Sequence, residues 1–277
     1  MIFRFDRFTT LYVVNPIRRR IPSSDPRVPI LMYHSISEAD ESGVHPYYRT
    51  ATAPTMFAMH MRYLYEQGYS TINLPEAIRL LQSGTPTNKH VVITFDDGYR
   101  DFHQHGFPEL SKYGFAATVF LPTDYIGTAP VRFKDKDCLT WAEVRELRKY
   151  NICFGSHTAT HPQLSALDDQ AVAREVGTSK KVIEDNIGES VDSFSYPYAF
   201  PEEKIAFTKM LRNTLVASGY DQGVSTRIGA ARSEEDRYFL RRLPINSLDD
   251  VALFGAKLRG AYDWLHTIQH VSKRLKG

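Results

Sequence analysis

The chain has 277 residues, 42% of them hydrophobic, and a formal net charge of +2 with acidic and basic residues interspersed. This length and apolar content can bury one full core, so no second domain is needed. The near-neutral charge argues against a nucleic-acid-binding protein, and two cysteines are too few for a disulfide framework. No stretch approaches about twenty consecutive apolar residues, so we expect no integral membrane segment.

The first 27 residues are predicted to form an N-terminal extension. Arg4, Asp6 and Arg7 interrupt its apolar residues, and no small-residue cleavage site follows. A secretory signal is therefore not expected, and a cytoplasmic location is predicted. The basic clusters at residues 18–20 and 273–276 are interpreted as solvated, with contact to an anionic membrane or polymer as the alternative.

Strand and helix patterns alternate along the rest of the chain. The predicted strands cover residues 28–33, 70–74, 89–95, 115–121, 151–155, 196–198, 220–224 and 243–245. The predicted helices cover residues 54–67, 75–81, 102–113, 141–150, 168–186 and 202–218, with a last helix from residue 249. Seven or eight such units predict an α/β fold in which the carboxyl ends of the strands gather on one face.

Two adjacent carboxylates, Asp96 and Asp97, follow the apolar run 91–93 and precede Gly98. Neighbouring carboxylates repel each other, and successive side chains on a strand point to opposite faces. The pair therefore suggests a division of labour, in which one carboxylate holds a metal ion and the other handles protons. Taken alone, an Asp-Asp-Gly sequence is more often an ordinary turn than a catalytic site.

Two histidines, His157 and His161, follow a second apolar stretch at a spacing of four. Gly155 before the pair and Pro162 after it argue against a continuous helix, so a loop at a strand end is predicted. This pair is also weak evidence alone, but both motifs follow predicted strands whose carboxyl ends meet. One carboxylate and two imidazoles suit zinc or a similar divalent ion with coordination positions left open.

These motifs resemble those of the polysaccharide deacetylases, carbohydrate esterase family four. The resemblance spans about residues 28–250 and is carried by residues 30–35 (ILMYHS), 94–99 (TFDDGY), 114–121 (GFAATVFL), 139–141 (LTW), 157–162 (HTATHP) and 194–198 (FSYPY). The Tyr33-His34 element looks like the branch that deacetylates exopolysaccharides such as poly-N-acetylglucosamine, rather than the branch of the chitin deacetylases.

The resemblance implies a distorted (β/α) barrel of about seven parallel strands, formed by a catalytic domain at residues 28–277. It implies metal-dependent removal of N-acetyl groups from an amino sugar in a poly- or oligosaccharide, or in its precursor. Asp97, His157 and His161 are the implied metal ligands; zinc is the expected ion, with cobalt or nickel as alternatives. The substrate class would also fit the cell envelope, and the sequence indicates no oligomeric state.

The resemblance also implies roles in proton transfer and charge stabilisation. Asp96 corresponds to the general base, His34 to the general acid, and the backbone amide of Tyr198 to part of an oxyanion hole. The chemistry agrees, because a carboxylate can take the proton of a water molecule and an imidazolium can protonate the leaving amine.

One departure from the family pattern concerns the catalytic aspartate. Much of the family has an arginine paired with it at the position of Ser195, so another residue must orient Asp96. Arg241 and Arg242 are the candidates, and Arg242 is preferred because it directly precedes the apolar residues 243–245. The alternative is that both arginines are solvated charges at a strand end.

Two irregular segments, residues 37–53 and 123–137, follow strands and are predicted to shape the substrate cleft. Tyr47, Tyr48 and Tyr125 are candidates to stack on sugar rings, with packing inside the loops as an equal alternative. Cys153 is predicted to be a buried thiol, because it lies in an apolar run.

Two other functions stay open at the level of sequence. The same scaffold and metal would serve hydrolysis of a different carbon–nitrogen amide bond or of an O-acetyl ester. A carbohydrate-binding protein that has lost catalysis is the non-enzymatic alternative, which the serine at position 195 leaves open.

Overall fold

The computed structural model describes residues 4–20, 26–84, 87 and 89–274. In chain order the strands are β1 (Arg27–Val28), β2 (Ile30–Tyr33), β3 (Ser35–Ile36), β4 (Ala51–Thr52), β5 (Ser70–Thr71), β6 (His90–Phe95), β7 (Ala117–Leu121), β8 (Arg132–Phe133), β9 (Lys136–Asp137), β10 (Ile152–Ser156), β11 (Ser193–Ser195), β12 (Gln222–Ile228), β13 (Ala231–Arg232) and β14 (Leu240–Pro244).

Seven parallel strands close into a barrel. Their order around the ring is β2, β6, β7, β10, β11, β12 and β14, and pairing of β14 with β2 completes it. The short strand β5 extends the sheet beside β6, and the register of β12 against β14 shifts between Val224 and Ile228. The predicted α/β class and distorted barrel are confirmed.

Helices surround this barrel. They are α1 (Phe5–Phe8), α2 (Asn15–Arg20), α3 (Pro54–Glu66), α4 (Leu74–Ser83), α5 (Phe107–Lys112), α6 (Trp141–Leu147), α7 (Asp169–Ile187), α8 (Ile205–Ala217), α9 (Val251–Leu258) and α10 (Leu265–Arg274). A π-helical segment, Thr9–Val14, joins α1 to α2, and another, Phe102–Gly106, precedes α5. Single 3₁₀ turns lie at Pro46–Tyr48, Thr123–Tyr125 and Leu164–Ala166.

Local sequence explains where several elements begin and end. The side chain of Thr140 caps α6 and forms a reciprocal capping box with Glu143. Asp168 caps α7 by accepting from the amide of Ala171 at 2.7 Å, and this helix ends at Gly188 in the left-handed conformation. Barrel strands such as β7 are buried along their whole length, because side chains on both faces are covered.

Two expectations about strands were wrong. The strand expected at residues 196–198 ends earlier, at Ser195, because Pro197 lacks an amide donor and Tyr198 adopts a φ of 61°. Cys153 is exposed rather than buried. It alternates along β10 with Ile152 and Phe154, which face the core, so its own side chain points the other way.

The predicted N-terminal extension is helical over residues 5–20 and contacts α9. Residues 1–3 and 21–25 of that segment, and residues 275–276 of the C-terminal basic cluster, lie outside the described residues. Within the described ranges, no helix combines the length and apolar character needed to cross a membrane.

Candidate active site

The carboxyl ends of the barrel strands open into a cavity of about 520 Å³. Asp96 and Asp97, directly after β6, form part of its lining together with His157 and His161, which follow β10. His34, the residue after β2, lies on the same side. Three separate strand ends therefore bring together residues that the sequence places far apart.

Asp97, His157 and His161 form a compact cluster of potential metal ligands. Oδ1 of Asp97 lies 3.5 Å from Nε2 of His157 and 3.2 Å from Nε2 of His161, and all three side chains are buried. Nδ1 of His157 lies 2.8 Å from the carbonyl oxygen of Ser195. Because an Nδ1–H donating to that carbonyl directs Nε2 of the ring toward Asp97 and His161, the donor set fits a divalent cation.

The charge states of this cluster also suit metal binding. Burial by itself raises the pKa of Asp97, but hydrogen bonding to His157 and His161 outweighs it and holds the pKa well below its usual range. Burial lowers the pKa of His161 to about 4, against the opposing effect of Asp97. A charged carboxylate and a neutral imidazole are the forms that coordinate metals.

The loop that carries the histidines has an unusual backbone, as expected for a loop rather than a helix. Thr158 and His161 both have positive φ, at 68° and 57°. Glu175 on α7 stabilises this loop by accepting from the amides of Ala159 and Thr160, each at 2.9 Å. Sequence reasoning missed Glu175, since a lone acid on a long amphipathic helix gives no signal of such a contact.

The second carboxylate, Asp96, is bound by Arg242. Both side chains are fully buried, and Nη1 and Nη2 of Arg242 donate to the two oxygens of Asp96 at 2.8 and 2.7 Å. The remaining guanidinium hydrogens reach Thr94 Oγ1 at 3.2 Å, Ser195 Oγ at 3.0 Å and the carbonyl of Ser225 at 3.0 Å. All five donors of Arg242 therefore have acceptors, and the carboxylate is held in one orientation.

Of the two candidate arginines, only Arg242 contacts Asp96. Adjacent side chains on β14 point to opposite sides, and Nε of Arg241 lies 3.1 Å from Oε1 of Glu235 instead. Ser195, which stands where much of the family has an arginine, belongs to the same network because its hydroxyl donates to Asp96 at 3.1 Å. Arg242, the preferred candidate, and Ser195 thus both hydrogen-bond to Asp96.

The electrostatics keep Asp96 ionised. Burial acts to raise its pKa, but the charges of Arg242 and His157 and the hydrogen bond from Arg242 bring the pKa down to about 2. Nε2 of His34 lies 4.0 Å from Oδ2 of the same carboxylate. Burial lowers the pKa of His34, although the nearby carboxylates Asp96 and Asp97 oppose this effect.

Tyr198 lies on the rim of the cavity. It is half exposed, adopts a positive φ of 61°, and its ring centroid is 4.7 Å from that of His161. Tyr47 and Tyr48 also line the cavity. Tyr125 packs on Phe133 instead, with ring centroids 4.3 Å apart, which favours the alternative of packing inside its loop.

One residue at the cavity was not anticipated. Lys134 lies at the turn between β8 and β9, and its Nζ is 3.3 Å from Oδ2 of Asp97. The same ammonium group lies 4.5 Å from the ring centroid of Phe133 and 5.6 Å from that of Tyr198. The hairpin folds Lys134 over the carboxylate from 37 positions away, a contact that no local pattern indicates.

Sequence comparisons identify relatives of this chain. A family model described as Polysaccharide deacetylase matches residues 83–221. The chain is 34% identical over 232 residues to "Putative polysaccharide deacetylase YxkH" of Bacillus subtilis (strain 168), covering 83% of this chain and 75% of that protein. It is 21% identical over 234 residues to the poly-beta-1,6-N-acetyl-D-glucosamine N-deacetylase of Staphylococcus aureus (strain MRSA252), covering 78% of each.

Solved structures share the fold. The Streptococcus pyogenes deacetylase PplD, in complex with acetate, superposes with a TM-score of 0.72 at 23% identity, over 84% of this chain and 99% of that one. IcaB from Ammonifex degensii superposes with a TM-score of 0.67 at 18% identity, over 84% and 97% of the two chains. At these low sequence identities, the similarity supports only a shared barrel fold.

Proposed function

The chain belongs to the polysaccharide deacetylase family, and we propose that it removes N-acetyl groups from an amino sugar of a poly- or oligosaccharide with the help of a divalent metal ion. One observation supports this most directly. A compact set of Asp97, His157 and His161 lies beside a clamped, ionised Asp96 in the lining of an open cavity.

Asp97, His157 and His161 would hold the ion, and zinc is the ion that best suits one carboxylate and two imidazoles. When bound, such an ion polarises the acetyl carbonyl and increases the acidity of water at the site. The carbonyl of Ser195 orients the His157 ring for this task.

Asp96 is proposed as the general base. Its low pKa means that it is ionised at neutral pH, so it can accept a proton from acidified water. Arg242 and Ser195 fix the direction in which its oxygens face. Because a base must lie within hydrogen-bond reach of the proton it removes, this fixed orientation contributes to the rate.

His34 and Tyr198 are proposed to act on the leaving group and on the carbonyl. As an imidazolium, His34 would release its proton readily to the amine, because burial lowers its pKa. The backbone amide of Tyr198 would donate to the carbonyl oxygen as negative charge develops there. Tyr47 and Tyr48, which line the cavity, would stack on the sugar rings.

The amino-sugar class rests on two kinds of support. The Staphylococcus aureus relative is named for poly-beta-1,6-N-acetyl-D-glucosamine, and the cavity combines aromatic rings with hydrogen-bonding groups such as Gln163 and Gln269. Such a mixture is typical of sites that bind sugars, whose faces are apolar and whose edges carry hydroxyls.

The test is acetate release from N-acetylglucosamine oligomers by the purified protein, first with a chelator and then with added zinc, cobalt or nickel. We expect release to stop with the chelator and to return with metal. His157→Ala should lose both bound metal, measured by elemental analysis, and acetate release. His103→Ala is the matched control, because His103 pairs with Glu143 and Glu146 outside the metal cluster. This variant should keep its bound metal and its acetate release.

A metal-loaded wild-type protein that releases no acetate from these oligomers would contradict the proposal. The same assay with O-acetylated sugars would then identify an esterase. Metal retained by His157→Ala at the wild-type level would contradict the ligand assignment specifically, whatever the substrate.

A further inference from the structure

The N-terminal helical segment, residues 5–20, packs on the rest of the protein with its polar side inward, the reverse of the usual arrangement. The segment comprises α1, the π-helical Thr9–Val14 and α2, so it is roughly 24 Å long at the usual helical rise. A helix packed on a globular domain normally turns its apolar stripe toward the core and its polar face toward water. Here much of the polar side faces the protein.

Hydrogen bonds and ion pairs hold the inward side. Thr10 is fully buried and Asn15 nearly so, which is unusual for polar side chains on a terminal helix. The contacts are Arg4 with the Leu248 carbonyl (3.1 Å), Asp6 with the Tyr262 hydroxyl (2.9 Å), Arg7 with Asp250, Thr10 with the Trp264 indole N–H (3.2 Å) and Asn15 with Arg259 (3.1 Å). The segment is thus firmly docked by its polar residues.

Large apolar side chains point outward from the same segment. Their exposed fractions are 61% for Phe5, 47% for Phe8, 64% for Tyr12, 49% for Val13 and 55% for Ile17. Positions 5, 8 and 12 have the spacing of one helical face, and the wider π-helical turns of Thr9–Val14 bring position 17 to the same side, so these side chains form one strip. A continuous exposed apolar strip of this kind marks an interaction surface.

The charge around this strip favours one kind of partner. Residues 4–20 contain five arginines and one aspartate, and that aspartate already binds Arg4 and Tyr262. The helix ends in three consecutive arginines at residues 18–20, of which Arg19 and Arg20 are exposed. An aromatic and aliphatic strip that ends in a basic cluster is complementary to an anionic lipid surface. A second copy that packed the same strip against it would bring like charges together, because Asp6 is the one acid of residues 4–20.

We propose that residues 5–20 dock this enzyme on the surface of an anionic lipid bilayer. Phe5, Phe8, Tyr12 and Ile17 enter the interfacial layer, and Arg19 and Arg20 contact lipid phosphates. The segment lies on the membrane and does not cross it. This surface is separate from the catalytic cavity, and the inference does not depend on the proposed reaction.

The experiment is flotation of the full chain with phosphatidylcholine vesicles, alone or with about one third phosphatidylglycerol. The test variant is Tyr12→Ser/Ile17→Ser. Its matched control is Tyr65→Ser/Ile205→Ser, which removes the same two residue types at positions 62% and 71% exposed on other helices. Arg19→Gln/Arg20→Gln separates the charge contribution from the apolar one.

We expect the wild type to float with the anionic vesicles and the test variant to bind at least about tenfold more weakly, because two interfacial side chains are lost. The control should bind within about twofold of the wild type. The arginine variant should lose the preference for anionic over neutral vesicles.

Three results would overturn the proposal. The wild type fails to float with anionic vesicles, or the test and control variants bind equally well. The third result is a wild-type dimer, seen by sedimentation velocity, that does not bind vesicles and that dissociates in the variant Tyr12→Ser/Ile17→Ser. That last result would identify the strip as an interface between copies of the chain.

Discussion

Two buried ion pairs in this protein look alike in burial and differ in what surrounds them. Arg242 binds Asp96 at the end of β6, and Lys257 on α9 binds Asp249 at 2.8 Å. All four side chains are at most 2% exposed. Of these four residues only Asp96 lines the cavity, whereas Lys257 also donates to the carbonyl of Pro244 at 2.6 Å within packed protein.

The surroundings show why burial of charge alone does not identify a catalytic site. Asp249 accepts from the amide of Asn246, and its carbonyl lies 2.6 Å from the His60 ring, so its neighbours are structural. Asp96 instead faces His34 and an open space that a substrate can enter. A buried ion pair contributes chemistry only where a ligand can reach it.

The largest expected difference between the two pairs concerns the acids. Asp96→Asn should lower the rate of acetate release by about a thousandfold, because the base is lost, while bound metal stays at the wild-type level. Asp249→Asn should lower stability and leave the rate per folded molecule within about threefold. Acetate release and elemental analysis measure the first variant, and denaturant unfolding the second. An equal loss of rate in Asp96→Asn and Asp249→Asn would show that the two ion pairs do not differ in their role.

The basic partners of the two acids, Arg242 and Lys257, give the next contrast. Arg242→Met and Lys257→Met each leave a buried carboxylate without its partner, so each should lower the free energy of unfolding by about 3–5 kcal/mol. Only Arg242→Met should also reduce the rate per folded molecule, because Asp96 loses its orientation and its low pKa. Urea unfolding combined with the pH profile of acetate release checks this. A matching fall in rate in Lys257→Met would contradict a purely structural role for the second pair.

Low pH should destabilise the region around the second ion pair, because His60 contacts the carbonyl of Asp249 there. Burial lowers the pKa of His60 to about 4, so the unfolded chain binds more protons than the native state between that value and the ordinary 6.5. Stability is therefore lost as the pH falls through this window, by about 3 kcal/mol for this group. His60→Gln, which cannot titrate, should unfold with a flatter pH dependence between pH 6.5 and 4. Parallel curves for the two proteins would show that His60 is not the source.

The smallest effect expected is at Ser195. Ser195→Ala removes one hydrogen bond to Asp96 while Arg242 keeps both of its own, so the rate should fall about fivefold with little change in stability. Ser225→Ala is the control, because that hydroxyl contacts the carbonyls of Phe239 and Leu240 and leaves Asp96 untouched. A fall in rate as large as that of Arg242→Met would make Ser195 the main orienting residue.

Several features could be predicted from the sequence because they depend on short segments. Apolar runs followed by Asp96-Asp97-Gly98 and by the histidine pair indicate strand ends, and parallel strands bring their carboxyl ends to one face. The alternation of strands and helices predicted the α/β class for this reason, and the family resemblance implied the barrel; both are confirmed. The resemblance to the family implied which role each of these residues takes, which the spacing alone leaves open.

Other features depend on side chains that meet across the barrel. Arg242 lies 146 positions from Asp96, and Lys134 reaches Asp97 from a hairpin turn. His60 had no predicted role, yet it is fully buried between Tyr33, Asp249 and Phe254. No local pattern encodes such contacts, because they arise only when distant strands and helices pack together.

The sequence by itself determined the α/β class and the placement of Asp96, Asp97, His157 and His161 after strand ends, since these follow from periodicity and from residue type at close spacing. Only the tertiary structure decided that Arg242 rather than Arg241 reaches Asp96, that Cys153 faces outward, and that the N-terminal helix turns its apolar strip away from the barrel. The reason is that side-chain direction depends on the face of each element that meets its neighbours, and that face is set by packing.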